Sequence, residues 1–389
     1  MMSNIKALDN EYVANTYARF PLQLVKGKGS LVYDENGKEY IDLGSGIAVT
    51  AFGIADGKWQ KAVADQAATL QHTSNLYYSS PCVELAQMLC EKTGMKKVFF
   101  SNSGAEANEC AIKTARKYAF EKKGGEYYNI ITLKNSFHGR TVTTLAATGQ
   151  DVFHKDFLPL TEGFLYADVN DCDGIRKMVA DNKVAAIMIE CVQGEGGVAA
   201  LNAEFVKTIA EICEKEDIIL ICDEVQCGNG RCGELYCYMN FGISPDIVST
   251  AKGLGGGLPL GATLFGEKTK AVLGASDHGS TFGGNPVCCA GAVSILSRID
   301  DELLADVKKK SAYIFSELQN ASGIKSVSGM GLMIGIETEK NAADVIKECM
   351  DNGVLVLKAK TKVRLLPALN IPDELIEKAV KVLKKACEV

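Results

Sequence analysis

No stretch of this sequence approaches the ~20 consecutive apolar residues that a membrane-spanning helix requires. Residues 1–10 contain no apolar h-region, so no secretory leader is expected. Positive charge is not in excess either: 42 Lys and Arg stand against 48 Asp and Glu, a formal net charge of −6. That balance argues against a general nucleic-acid or anionic-membrane binder, which needs a basic field, but leaves local anion sites open. Low-complexity tracts and clear repeats are lacking. Histidine is scarce, with four in 389 residues. None falls among Cys222, Cys227, Cys232 and Cys237, and their spacing is wider than the Cys-x2-4-Cys of zinc sites. Those thiols are expected to be buried or incidental, and no metal is expected. With neither leader nor span, the fourteen cysteines are expected to be reduced, in a cytoplasm.

What is present is the make-up of a globular protein, 47% hydrophobic and 23% charged. At ~150 residues per domain the length suggests two or three domains, enough to bury a sizeable core. The middle of the chain alternates short apolar runs with helical patterns. Lys97–Ser101, Asn129–Leu133, Val184–Ile189, 217–222 (DIILIC) and 246–250 (DIVST) read as strands. Helices are expected at 105–120, 173–181 and Ala203–Lys215. Alternation of this kind predicts an α/β fold with a mostly parallel sheet and helices on both faces. Near-continuous apolar strands fit a sheet buried on both sides. Residues 31–43 alternate around Asn36-Gly37, a hairpin signal. Beyond about residue 284 amphipathic helices dominate, as at 301–320, with short strands at 332–337 and 363–366. The expected organisation is a large domain at 49–283 and a smaller α+β domain at 284–389, joined by an N-terminal segment, 1–48.

Four of the predicted strands run into unusual polar turns, and open parallel sheets bind ligands outside the carboxyl ends of their strands. The first turn, Asn102-Ser103-Gly104-Ala105-Glu106-Ala107-Asn108, opens a helix. Free N–H groups and a positive dipole end make a phosphate site there, although a plain Ser cap has the same pattern. The second is Asn135-Ser136-Phe137-His138-Gly139-Arg140-Thr141. Phe137 suits stacking on a flat ring and Arg140 a bidentate grip on a carboxylate. Read alone, a core Phe beside a surface Arg fits as well. The third, Asp223-Glu224-Val225-Gln226, sets two carboxylates where desolvation is costly unless they are paired. A cationic ring nitrogen is one suitable partner, and an Asp against it keeps that ring an electron sink. A helix cap or a structural ion pair is the other reading. In the fourth, Thr250-Ala251-Lys252 runs into four glycines within five residues. Lysine forms Schiff bases when burial or nearby charge lowers its pKa. A solvated lysine in a loose loop remains the alternative.

Gly228-Asn229-Gly230-Arg231-Cys232-Gly233 matches G-x-G-x-x-G, the dinucleotide fingerprint, after a strand. Five residues, Asp223 and Glu224 among them, separate the strand from the first glycine, and acids there repel a pyrophosphate. The helix expected next, 234–241, is short and weak. A nicotinamide enzyme is therefore disfavoured.

In this order, the turns and several other segments resemble the fold-type-I, class-III aminotransferases. The likeness rests on residues 15–21 (NTYARFP), 72–78 (HTSNLYY), 102–108 (NSGAEAN), 136–141 (SFHGRT), 193–197 (QGEGG), 223–226 (DEVQ), 250–257 (TAKGLGGG) and 279–286 (GSTFGGNP). It implies pyridoxal 5′-phosphate, with Lys252 carrying the cofactor as a Schiff base and later moving the proton between substrate and cofactor. It implies that Asp223 pairs with the pyridine nitrogen, that Gln226 bonds the phenolic oxygen, and that Phe137 and Val225 sandwich the ring. Ser103, Gly104 and Ala105 are implied to hold the phosphate. Thr281 is implied to complete that site from a second subunit, making a homodimer with shared active sites. For substrate, the likeness implies Tyr17, Arg140 and Ser280, together with Glu195 and Arg364. Glu195 pairs with Arg364 while the first substrate binds, then releases it to take the α-carboxylate of glutamate; a permanent salt bridge is the structural alternative.

Residues 15–21 and the space left by Gly46 look like family members that take N-acetylornithine. The implied reaction moves its terminal amino group to 2-oxoglutarate, giving a semialdehyde and glutamate, a step of arginine biosynthesis. Ornithine, succinylornithine, acetyl-lysine and γ-aminobutyrate fit the same motifs, and a non-catalytic binding protein would keep the same fold. Some residues depart from the family pattern. Gly53-Ile54-Ala55-Asp56-Gly57 stands where many members have Gly-His-x-His-Pro. Cys191 replaces a usual Pro, Cys227 and Cys232 common threonines, and Ser328 a frequent arginine, which bears on how the small domain closes. None of these removes a group from the implied chemistry.

Overall fold

The computed structural model of the chain describes residues 5–389; residues 1–4, the start of the expected N-terminal segment and of the stretch searched for a leader, lie outside the described residues. Its centre is a seven-stranded sheet in the order Lys97–Ser101, Gly261–Phe265, Ile247–Thr250, Ile219–Asp223, Val184–Ile189, Asn129–Leu133, Phe164–Ala167. All strands are parallel except Gly261–Phe265, which runs against both its neighbours.

Every residue of Ile219–Asp223 is buried because helices cover both sheet faces. Successive strand side chains point to opposite faces. Ile219 and Ile221 accordingly share an apolar cluster with Cys110, Ala111 and Ala115 of the Gly104–Lys123 helix. Leu220 and Cys222 join the cluster of Phe205, Val206 and Ile209 from the Ala203–Lys215 helix. At about 1.5–3 kcal/mol for each fully buried large aliphatic side chain, these two layers dominate the stabilisation of the sheet.

Two expected elements differ, and two strands appear that were not expected. The 217–222 strand begins at Ile219, because Asp217 takes φ +47° and the Ile218 N–H donates to the Cys213 carbonyl at 2.9 Å. Both residues serve to close the preceding helix, so the strand extends through Asp223 instead. The 234–241 helix shrinks to a single 3-10 turn, Cys237–Phe241, whose first N–H groups, of Cys237 and Tyr238, are taken by the Glu224 carboxylate at 2.7 and 2.8 Å. Finally, Gly261–Phe265 and Phe164–Ala167 are strands that no sequence pattern marks, being runs of four or five residues with no readable period.

The N-terminal hairpin pairs Leu31–Asp34 with Glu39–Asp42, and Gly37 adopts φ +82° in its turn. Val354–Leu355, from the far end of the chain, adds to this sheet parallel to Glu39–Asp42. A second small sheet runs Ile324–Met330, Met333–Thr338, Lys362–Leu365, Leu357–Ala359, all antiparallel, with Gly335 opposite Arg364. Cys222, Cys227, Cys232 and Cys237 are all buried. Among the described residues, no helix is long and apolar enough to cross a membrane.

Candidate active site

The parallel register fixes the site. Asp223 lies opposite Ser249 across two adjacent strands, so Lys252 emerges beside it three residues later. A cavity of about 520 Å³ opens there, at the carboxyl ends of the strands. It is lined by Asp223, Val225, Gln226 and Lys252, and by Phe137 and Arg140 from the second turn. Ser103, Gly104 and Ala105 close its third side. A larger hollow of about 840 Å³ lies at the other end of the sheet around Lys123, Lys183 and Lys215. Its lysines are paired locally, Lys183 with Glu126 and Lys215 with Glu216, and it holds none of the expected groups.

Asp223 is buried, and both its oxygens have partners that hold the carboxylate in place, with acceptor capacity left on Oδ1. Asn108 Nδ2 donates to Oδ2 at 2.7 Å, His138 Nδ1 meets the same oxygen at 2.8 Å, and the Val225 N–H donates to Oδ1 at 3.0 Å. Burial pulls the His138 imidazole down, but the hydrogen bond and charge of Asp223, with Glu190 beyond, leave it above its ordinary value. Lys252 takes φ +46°, a strained conformation for a non-glycine residue. Desolvation pushes its ammonium below the usual lysine value, against the pull of Asp223, Glu195 and Glu190. An amine so lowered is a better nucleophile at neutral pH.

Glu195 and Arg364 form an ion pair at 2.6 Å, with Arg364 nearly fully buried and Glu195 partly open. Gln226 joins them: Arg364 Nη1 donates to Gln226 Oε1 at 3.1 Å, and Gln226 Nε2 reaches Glu195 Oε1 at 3.4 Å. Burial pushes Glu195 up, but the charge and hydrogen bond of Arg364 bring it below the ordinary carboxylate value. A Cβ at Gly194 would overlap the Gln226 carboxamide and push it out of this triad. Arg140 is exposed; its guanidinium lies 5.9 Å from the Phe137 ring centre, and it forms no ion pair among the described residues.

Not every expected residue reaches the cavity. Ser280 comes beside it, accepting from Asn102 Nδ2 at 3.1 Å, but Thr281 is exposed and does not line it. Tyr17 is also exposed and away from it. The Ser103 hydroxyl is already engaged, accepting from the Glu106 N–H at 3.2 Å and donating to Glu106 Oε2 at 3.1 Å. Among the lining residues to which the sequence assigns no role, Asn108, His138 and Glu190 are polar, buried and grouped around Asp223. Glu190 is buried and accepts from the Phe137 N–H at 2.9 Å. Burial, opposed by His138 and reinforced by Asp223, pushes its carboxyl up to about 7. Its signal was legible, an acid directly after an apolar strand, as at Asp223.

The residues fit a flat cofactor with a ring nitrogen, an aldehyde and a phosphate. Asp223 is a buried acceptor held rigid from behind, and Lys252 Nζ has no hydrogen-bond partner among the described residues. Gly104 and Ala105 begin a helix, where N–H groups have no intrahelical acceptor. A Cβ on Gly104 would lie 2.6 Å from Val225 Cγ1, so only glycine lets the helix end come this close.

Comparison with known proteins agrees. The family model described as "Aminotransferase class-III" matches residues 12–387. Acetylornithine aminotransferase of Haemophilus ducreyi is 49% identical, covering 97% of each chain. Among solved structures, ornithine aminotransferase of Toxoplasma gondii, described with partial occupancy of PLP at its active site, superposes with TM-score 0.94 at 32% identity over 100% of this chain and 94% of that one. N-acetylornithine aminotransferase of Stenotrophomonas maltophilia gives TM-score 0.83 at 35% identity over 98% and 97%. A fold-type-I α/β architecture, Asp223 and Lys252 set at two adjacent strand ends, and a match over nearly the whole chain lead to one conclusion: this protein belongs to the class-III aminotransferases, enzymes that move an amino group from a donor to a keto acid with pyridoxal 5′-phosphate.

Proposed function

We propose that the protein transfers the terminal amino group of N-acetylornithine to 2-oxoglutarate, giving N-acetylglutamate semialdehyde and glutamate, in the cytoplasm. Support comes from the names of the relatives at 39–49% identity, all acetylornithine aminotransferases, and from the Glu195–Arg364 pair. That pair is the single observation that carries the reading. An enzyme taking an ω-amine in one half-reaction and an α-amine in the other needs a carboxylate receptor that is masked for the first and free for the second.

Each residue then has a task. When bound, pyridoxal phosphate supplies an aldehyde to receive the amino group and a protonated ring to draw electrons from the reacting carbon. Asp223, held by Asn108 and His138, would take the ring nitrogen and keep its proton in place. Phe137 and Val225 would hold the ring between them, and Gln226 would donate to its phenolic oxygen. The N–H groups of Gly104 and Ala105, with Ser103, hold the phosphate. Lys252 Nζ would be the amine that holds the cofactor, and its free amine would carry the proton at the substrate carbon. Arg140 and Ser280 take a substrate carboxylate, and Tyr17, which lies away from this cavity, is assigned to the donor on the family likeness alone. Glu195 neutralises Arg364 for the donor, then turns away so that the guanidinium binds the α-carboxylate of the acceptor. Thr281 completes the phosphate site of a second copy, which makes the working unit a homodimer. Residues 1–48 and 284–389 act as a small domain over the large one, 49–283, a division supported by the pairing of Val354–Leu355 with Glu39–Asp42.

A panel of amino donors with 2-oxoglutarate as acceptor tests the substrate. N-acetylornithine is expected to outrun free ornithine, and the opposite order overturns the assignment. Borohydride is expected to fix the cofactor to Lys252, and Lys252→Ala to lower turnover by at least about a thousandfold, the scale of losing a catalytic nucleophile and base.

A further inference from the structure

The glycine-rich loop after the Asp223 strand, Gly228-Asn229-Gly230-Arg231-Cys232-Gly233, has no part in the chemistry above, yet all six residues are buried. Arg231 is 2% exposed and forms no ion pair among the described residues. Its Nη1 donates to the Leu332 carbonyl at 3.3 Å and to the Pro367 carbonyl, and its Nε has no partner. Burial pushes the guanidinium down to about 10. A buried cation without an anion is destabilising on its own, so its two acceptors are informative. Leu332 immediately precedes the Met333–Thr338 strand, and Pro367 lies two residues past the end of Lys362–Leu365. Those strands are neighbours, with Gly335 opposite Arg364. One side chain therefore grips the ends of both strands at the point where Arg364 is carried. The backbone closes the same joint: the Leu332 N–H donates to the Arg231 carbonyl at 2.9 Å. Gly331 permits this at φ +58°, and a Cβ there would run into that carbonyl.

The other arm of the loop reaches the lysine. Asn229 Nδ2 donates to Thr250 Oγ1 at 3.0 Å and to the carbonyl of Ala251, the residue before Lys252, at 3.1 Å. We propose that loop 228–233 is a strut that sets the separation of Lys252 from Arg364, with Arg231 the positioning residue for Arg364 and Asn229 for Lys252. This rests on the reading that Arg364 takes the acceptor's α-carboxylate. A dicarboxylate acceptor has to present its carboxylate to Arg364 and its keto carbon at Lys252 together, so displacing Arg364 weakens acceptor binding, while displacing Lys252 slows proton transfer and leaves the carboxylate receptor in place.

Three variants of the full enzyme, followed through each half-reaction and by amide hydrogen exchange, test the strut. Arg231→Lys keeps the charge but loses the planar fork. It is expected to raise KM for 2-oxoglutarate roughly tenfold, the scale at which a small misplacement of a binding group is felt. The donor half-reaction stays within about twofold, and exchange speeds up in Met333–Thr338 and Lys362–Leu365 but not in Ile247–Thr250. Gly331→Ala, pressing on the same joint from the far side, gives the same pattern. Asn229→Ala moves the other end: both half-reactions slow, because Lys252 serves each, exchange speeds up in Ile247–Thr250, and KM for 2-oxoglutarate stays unchanged. Equal losses in both half-reactions for Arg231→Lys or Gly331→Ala, exchange changes spread over all these strands in any one variant, or wild-type behaviour throughout would overturn the strut. If Arg364→Ala left 2-oxoglutarate binding intact, the functional reading would fall, and the exchange pattern would still decide the strut.

Discussion

Glu190 and Asp223 end adjacent parallel strands as buried carboxyls, and their surroundings separate them. Asp223 has an imidazole and an amide on one oxygen and a backbone N–H on the other, whereas Glu190 accepts a single backbone N–H. Burial therefore pushes Glu190 up to about 7. Its folded value stands above the unfolded one, so the folded protein binds the extra proton. The stability this contributes is fully present below the unfolded carboxylate value and is lost as pH rises through about 7. Glu190→Gln keeps an oxygen to accept from the Phe137 N–H and cannot ionise. Between about pH 6 and pH 8 the melting temperature of the variant is expected to fall less than that of the parent, by an amount on the order of 2 °C. Calorimetry of both proteins across that window checks this, and parallel curves would show that Glu190 keeps one charge state. The ionised carboxylate also favours a protonated Lys252, so the variant is expected to hold Lys252 neutral to lower pH.

At the scale of elements, the Gly104–Lys123 helix shows how close packing sets a binding end. The Gly104 position admits no methyl group, because Val225 lies against it. Gly104→Ala is expected to weaken cofactor binding about tenfold, or ~1.4 kcal/mol, measured by titrating the apoenzyme with pyridoxal phosphate. Gly57→Ala, also at the start of a helix but with open space around its Cβ position, is the control and is expected to stabilise by ~0.5–1 kcal/mol. Unchanged affinity in Gly104→Ala would mean that the helix start yields without consequence. The same elements show what a reader of the sequence sees. Val184–Ile189 and Ala203–Lys215 were legible to the residue, because a fully apolar run and a helical stripe each have one solution. The turns that follow the strands were legible too, since polar residues directly after apolar runs stand out. Gly261–Phe265 was not, because its antiparallel direction is set by its partners on both sides. His138, Asn108 and Arg231 were passed over for a related reason. Their roles depend on which carbonyl or carboxylate three-dimensional packing brings to them, and no local pattern encodes that.

At the scale of the whole molecule, one chain offers most of a site and also an apolar surface beside it. Leu76, Tyr77 and Tyr78 are 87%, 71% and 100% exposed, and Phe282, next to Thr281, is 60% exposed. Asn75 ties the two segments together, donating to the carbonyls of Ser280 and Gly283. Large apolar side chains exposed together are the kind of surface an interface covers, and in the proposed dimer Thr281 of one copy completes the cavity of the other. Mixing two crippled chains tests this. Lys252→Ala lacks the amine, and Thr281→Ala lacks the phosphate contact and is expected to need about tenfold more cofactor. In a mixed dimer with shared sites, one site combines Lys252 from the Thr281→Ala chain with Thr281 from the Lys252→Ala chain and is intact, while the other carries both lesions. Random pairing makes about half the dimers mixed, so roughly a quarter of the parental sites return, measurable at cofactor concentrations too low for Thr281→Ala alone. A mixture no more active than the average of its two parents would place Thr281 outside the neighbouring site, and the exposed Leu76–Tyr78 face would then need another partner.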